Sequence, residues 1–177
     1  LERYLKHDAW TWEHQALVRA RVVAGAPELV TQVEALRSEV LSADRDDVSL
    51  AADVTAMRQK MRDHPPAVGD ASRRVALKYG RGGIVDIEFV VQYLVLKHTE
   101  RYSDVGRWSD VVRILEALEA CRILSSSDAN SLKEAYLGLR SSVHRAAVSN
   151  ASDGDSVETD ELMKQASAVC ARLLPNL

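Results

Sequence analysis

The stretch Gly80-Arg81-Gly82-Gly83-Ile84-Val85-Asp86-Ile87-Glu88-Phe89-Val90-Val91-Gln92-Tyr93-Leu94-Val95-Leu96-Lys97-His98 decides the fold. Its glycines permit a sharp turn, because glycine enters left-handed backbone without a steric penalty. The residues from Ile84 onward place Ile, Val, Leu and Phe almost all round a helix that turns about 100° per residue. Glu88 and Gln92 share one narrow stripe, and Asp86, Tyr93 and Lys97 lie nearly opposite. A helix that is apolar on almost every side is buried at the centre of its domain. Its few polar groups must then find partners or a wet cleft, since an unpaired buried carboxylate is costly.

Working outward, the remaining chain reads as helices of ordinary length. A first is expected over Tyr4 to Ala24, stopped by Gly25 and Pro27. A second runs from Pro27 to Ser42. The run Asp44-Arg45-Asp46-Asp47 supplies the cap for a third, Val48 to Asp63, which Pro65-Pro66 ends. Arg74 to Tyr79 reads as a short extended piece before the glycine turn. Beyond the central helix, Ser109 caps a fifth helix reaching Arg122, and Ser125 to Asp128 cap a sixth reaching Val148. Asn150 to Ser156 reads as a loop, and Glu158 to Leu174 as a terminal helix. The expectation is an all-α bundle of about six helices, with a short extended segment and glycine turn before the central one. One domain over residues 1–177 is the simplest count.

Composition agrees. Of 177 residues, 46% are hydrophobic and 28% charged, with only 8 glycines and 4 prolines, which favours helices over a many-stranded sheet fold. A net charge of −3 gives no overall basic field to draw nucleic acid or an anionic membrane. No apolar run approaches the roughly 20 residues of a spanning helix. Cys121 and Cys170 stand far apart, as expected of reduced, buried thiols in a cytoplasmic protein. The chain opens on Leu1 inside a helical pattern, the expectation for a domain cut from a longer polypeptide.

No residue pattern amounts to a self-sufficient active site. The glycine turn before a helix either holds a phosphate or a neighbouring surface on its N–H groups, or is simply a turn. Asp86 and Glu88 near that helix start would repel an anion. Two residues apart, they point about 200° from one another, so no shared metal ion is expected. Pairing with arginines is expected instead, with Arg19 and Arg21 as candidates. Those two also lie on the sides of Trp12 and Trp10 and are placed to stack on the indoles. Trp10 and Trp12 read as core or interface anchors, Met57 and Met61 as core fillers, and Arg58, Lys60 and Arg62 as a solvated basic face.

Three stretches go further. They are Trp10-Thr11-Trp12-Glu13-His14-Gln15-Ala16-Leu17-Val18-Arg19-Ala20-Arg21; Asp53-Val54 with Met57-Arg58 and Lys60-Met61-Arg62; and Leu77-Lys78 with Gly82 to Leu94. Trp108-Ser109-Asp110, Arg113-Ile114-Leu115, Ala135-Tyr136 and Leu139-Arg140 follow in the same order. Over residues 1–148 the chain resembles the bacterial glutamine synthetase adenylyltransferases, and within them the helical domain that follows a nucleotidyltransferase domain, most similar to the C-terminal half. Residues 149–177 carry no matched motif.

The resemblance implies a parent that transfers AMP from ATP to glutamine synthetase and also removes it, using ATP and magnesium, under control of a PII signal protein. That family's catalytic motif is Gly-Ser followed by two aspartates, which would hold the magnesium ions. No glycine here is followed by serine, so no catalytic residue and no metal ligand is assigned, and no complete ATP–magnesium site is expected within this chain. The implied partners are glutamine synthetase, the PII protein and the upstream nucleotidyltransferase domain, with no nucleic acid and no membrane. The residues expected to face the cleft or a domain interface are Lys78, Gly80, Gly82, Gly83, Asp86, Glu88, Gln92, Trp12, Glu13, Arg19 and Arg21. The segment from Lys78 to Gln92 would form the wall, with Arg19, Arg21 and Lys78 nearest phosphates or acidic partners. A PII-binding scaffold outside the cleft is the alternative.

Overall fold

The computed structural model describes residues 1–64, 72–149 and 156–177. Every regular element among them is helical, so the all-α expectation holds. The expected stop at Pro65-Pro66 and the expected loop at Asn150 to Ser156 fall outside the described residues, apart from Ser156, where the last helix begins. The chain forms two compact units. Leu1–Val54 with Val91–Ile123 make the first, and Thr55–Val90 with Leu124–Leu177 the second.

The first unit opens with a π-helical turn, Tyr4–Asp8. It continues with α1 (Thr11–Val18), α2 (Pro27–Leu41) and the first half of α3 (Asp47–Asp63). The second half of α5 (Ile84–His98), the single turn α6 (Ser103–Gly106) and α7 (Val111–Ala120) complete it. Val18, Leu41, Val54, Val95, Val105, Ile114, Leu115 and Leu118 are fully buried and form its core.

The long first helix expected over Tyr4 to Ala24 is broken twice. Ala9 and Trp10 are extended, and the Glu13 carboxylate reaches back to accept the Trp10 N–H at 2.9 Å, a restart signal for α1. At the far end, Arg37 takes the carbonyls that a continuing helix would use. Its Nε donates to Leu17 O at 3.1 Å and its Nη2 to Val18 O at 2.7 Å. The same guanidinium donates to Gly106 O at 2.8 Å and Trp108 O at 3.1 Å. A buried arginine with four carbonyl acceptors thus terminates α1 and ties it to the segment around α6.

Other boundaries follow capping chemistry. Asp46 caps α3 by accepting the Ser49 N–H at 2.8 Å, as expected. For α7 the cap is Asp110, one residue later than the expected Ser109; its Oδ1 accepts from Val112 and Arg113 N–H at 3.0 and 3.1 Å. The carboxylate gains more from the helix dipole than the neighbouring hydroxyl does. α7 ends in a Schellman arrangement, with Ile123 N–H on Leu118 O and Arg122 N–H on Glu119 O. That geometry puts Arg122 at φ 58°, a position glycine usually occupies.

The second unit holds the rest of α3, then α4 (Ser72–Tyr79), the start of α5, α8 (Ser126–Ser149) and α9 (Ser156–Leu173). The expected extended piece at Arg74 to Tyr79 is helical, which suits its Arg, Ala, Leu and Lys content; Leu77 is buried. Ile87, Val90, Leu132, Ala135, Leu139, Ala166 and Leu174 fill this core. Gly138 lets α8 and α9 approach closely, since a Cβ there would lie 2.6 Å from Leu162 Cδ1.

Candidate functional site

The second unit is organised around Asp86. Its position in the first turn of α5 leaves the residue 3% exposed, where an isolated carboxylate would be strongly destabilising. Three groups satisfy it. Arg58 Nε donates to Oδ1 at 2.6 Å, Arg62 Nη2 donates at 2.9 and 3.0 Å, and the Gly82 N–H donates to Oδ2 at 2.8 Å. Arg58 also donates through Nη2 to Tyr79 O at 2.5 Å, at the end of α4. One ionic cluster therefore joins α3, the end of α4, the glycine turn and α5.

Arg58 and Arg62 correct two expectations. They, rather than Arg19 and Arg21, are the partners of Asp86. Nor is their helix face solvated as a whole, because Arg58 is 0% exposed and Arg62 is half-buried. Their spacing of four residues on α3 puts both on one face, which is how a single carboxylate reaches them. Both stand inside the motif Met57-Arg58 with Lys60-Met61-Arg62, so the signal lay in the sequence. Burial, which no local pattern reveals, distinguishes these arginines from the exposed Lys60. The cluster carries one positive charge in excess, and Arg58 Nη1 and Arg62 Nε are buried without a hydrogen-bond partner among the described residues.

The glycine turn faces the interior. Gly82 and Gly83 are buried, the former at φ +70°. A Cβ on Gly82 would lie 1.9 Å from Met163 O, and one on Gly83 2.7 Å from Leu77 O. A Cβ on Gly80 would meet Ala76 O at 2.5 Å. The Gly82 N–H is taken by Asp86 and the Gly83 N–H by Gly80 O. Packing favours the turn reading: Gly82 allows close approach to the backbone of α9, Gly80 and Gly83 sit against carbonyls at the end of α4, and the N–H groups of all three are already used, that of Gly80 by Ala76 O. Lys78 and Arg81 remain on the outside.

Glu88, half-buried, accepts from Tyr136 OH at 3.1 Å, and Tyr136 in turn accepts from Arg140 Nη1 at 3.2 Å. Cys170 lies near the cluster. Burial, reinforced by the negative charge of Asp86, pushes its thiol up to about 12.

The other expected site residues sit in the first unit. Gln92 accepts from Gln15 Nε2 at 3.2 Å, and the buried Gln15 Oε1 has no hydrogen-bond partner among the described residues. Glu13 holds the Tyr4 hydroxyl at 2.6 Å as well as the Trp10 N–H. Trp10 and Trp12 are 71% and 47% exposed, so within this chain they are surface groups rather than core anchors. Arg19 ends α1, and Arg21 is exposed. Trp108 carries two cations, with Arg107 and Arg113 at 5.1 and 4.9 Å from its ring. Among the described residues no three His, Cys, Asp or Glu side chains converge as a metal site. No helix among them is long and apolar enough to cross a membrane.

Two family comparisons bear on this architecture. Residues 1–36 match the family described as glutamate-ammonia ligase adenylyltransferase. Residues 55–172, well over half of the chain, match the family described as GlnD PII-uridylyltransferase. The chain belongs to this second family, as a helical domain of the adenylyltransferase kind. The match to the PII-uridylyltransferase family runs from the second half of α3 almost to the end of α9. It therefore covers α9, which motif reading left unassigned, together with the whole Arg58–Asp86–Arg62 cluster. The two descriptions, an adenylyltransferase and a uridylyltransferase, tie the domain to nucleotidyltransferase function.

Proposed function

We propose that this domain serves an adenylyltransferase that modifies glutamine synthetase with AMP, as a rigid regulatory wall beside chemistry housed in a separate nucleotidyltransferase domain. ATP and magnesium would bind in that catalytic domain, because no Gly-Ser followed by paired aspartates occurs in this sequence. The observation that carries the reading is the ionic cluster under the glycine turn. Four backbone segments are pinned by one buried carboxylate, and the turn they hold presents Lys78 and Arg81 outward. A surface fixed in this way suits positioning of a partner, since little ordering entropy is lost on contact.

The test is AMP incorporation into glutamine synthetase by the polypeptide that carries this domain. Gly83→Val is a poor probe, since its side chain would collide with the Leu77, Gly80 and Lys78 carbonyls. Lys78→Met and Glu88→Gln leave the packing in place. Rates reduced at least fivefold in either variant support the wall. Wild-type rates in both eliminate it.

A second reading is favoured by the family name itself, which refers to the PII protein. In it the domain is a docking module for PII outside the cleft. A pull-down of this chain with PII, with and without small-molecule effectors, addresses it. Absence of capture in every condition removes it.

A further inference from the structure

We propose that Arg74, Lys78 and Arg81 form a docking stripe for an acidic segment of a partner protein. The inference rests on charge and placement, not on AMP transfer. From Ser72 to Val85 the chain carries four cations and no carboxylate, against a net charge of −3 for the whole sequence. Arg73 is neutralised within its own unit, by Asp160 at 2.9 Å and the Thr159 hydroxyl. The other three form no ion pair among the described residues; Lys78 only lies over the Tyr79 ring, at 5.2 Å. Lys78 and Arg81 are exposed and Arg74 is half-buried.

The arrangement works against the stability of the domain by itself. Arg74 and Lys78 stand one turn apart on α4, where like charges repel. Beneath the turn, the Arg58–Asp86–Arg62 cluster adds one more uncompensated positive charge. An anionic partner relieves this repulsion. One helical turn separates Arg74 from Lys78 by about 6 Å. That matches carboxylates one turn apart on an acidic helix, or on alternate residues of an extended strand at about 6.6–6.8 Å. An acidic protein segment is favoured over a nucleotide, because the stripe lies on the outside of a helix, and the neighbouring Tyr79 ring is already covered by Lys78.

The probe is a fluorescein-labelled peptide of alternating Glu and Ala, read by fluorescence anisotropy with the 177-residue chain at 20 and 150 mM NaCl. Tripolyphosphate and a single-stranded oligonucleotide of equal charge serve as competitors. The expected result is saturable binding that weakens with salt. Arg74→Gln, Lys78→Gln and Arg81→Gln combined should weaken it at least tenfold, and Lys78→Glu alone at least threefold. Arg3→Glu, a charge reversal at an exposed site in the other unit, should change it less than twofold. Circular dichroism melts that match wild type show each variant folded, and charge reversal at Arg74 replaces the triple variant if that one does not fold. Equal loss with Arg3→Glu, or no loss in the stripe variants, overturns the proposal. Displacement by the oligonucleotide or tripolyphosphate at lower concentration than unlabelled peptide overturns it in favour of a phosphate ligand. Because the readout is peptide binding, failure here leaves the AMP-incorporation test untouched.

Discussion

Replacing Asp86 by asparagine removes one charge from a site of nearly unchanged shape. Arg58, with no exposed surface, and the half-buried Arg62 would then face each other with a single neutral oxygen between them. Breaking a buried ion pair from one side costs about 3–5 kcal/mol, because the remaining charge is left uncompensated. The weakened Gly82 N–H contact falls within that range. At roughly 2–4 °C per kcal/mol for a chain of this size, the melting temperature should fall by roughly 6–20 °C. With a urea slope near 2 kcal/mol/M, the midpoint should fall by about 2 M. Far-UV circular dichroism follows the melt, and hydrogen exchange at the Gly82 amide reports the second unit directly. The cycle with Arg58→Met is the sharper measurement. Two groups in one cluster should depart from additivity by at least about 1 kcal/mol, with the double variant less damaged than the sum. A loss below about 1 kcal/mol for Asp86→Asn, or additivity within about 0.5 kcal/mol, refutes the clamp.

The remaining expectations can be checked on the same chain. Arg37→Lys should cost about 3 kcal/mol in urea unfolding, because one ammonium cannot reach the four carbonyls that the guanidinium fork serves. Arg122→Gly should stabilise by about 0.5–1 kcal/mol, read as a higher melting temperature, since φ 58° strains a residue with a Cβ. A thiol raised to about 12 stays protonated at pH 8 in the folded state, so a disulfide reagent should titrate Cys121 promptly and Cys170 only after denaturant is added.

Much of this was legible from the chain alone, for identifiable reasons. The bounds of α5 follow from its apolar run, and those of α3 and α8 from side chains that cap locally. What escaped sequence reading depends on contacts distant along the chain. Nothing near Val18 says that α1 must stop there; Arg37 decides it from nineteen residues away. Nothing in Arg58-Gln59-Lys60-Met61-Arg62 separates a buried cation from a solvated one, because Asp86 sits twenty-eight residues further on. The wish of Asp86 for a cationic partner was readable from its place on an apolar helix; the identity of that partner was not. The exposure of Trp10 and Trp12 likewise reflects the surroundings of the indoles rather than their residue type.

The seat of the glycine turn on α9 has a practical corollary for anyone cutting this protein into pieces. An expression boundary drawn after residue 148, where recognisable wording ends, would keep every motif and discard the residues that lie against Gly82 and beside the charged cluster. Wetted from that side, the Arg58 and Asp86 pair would decline toward an ordinary surface contact of under about 1 kcal/mol. The resulting product would look complete on paper and melt early in the tube.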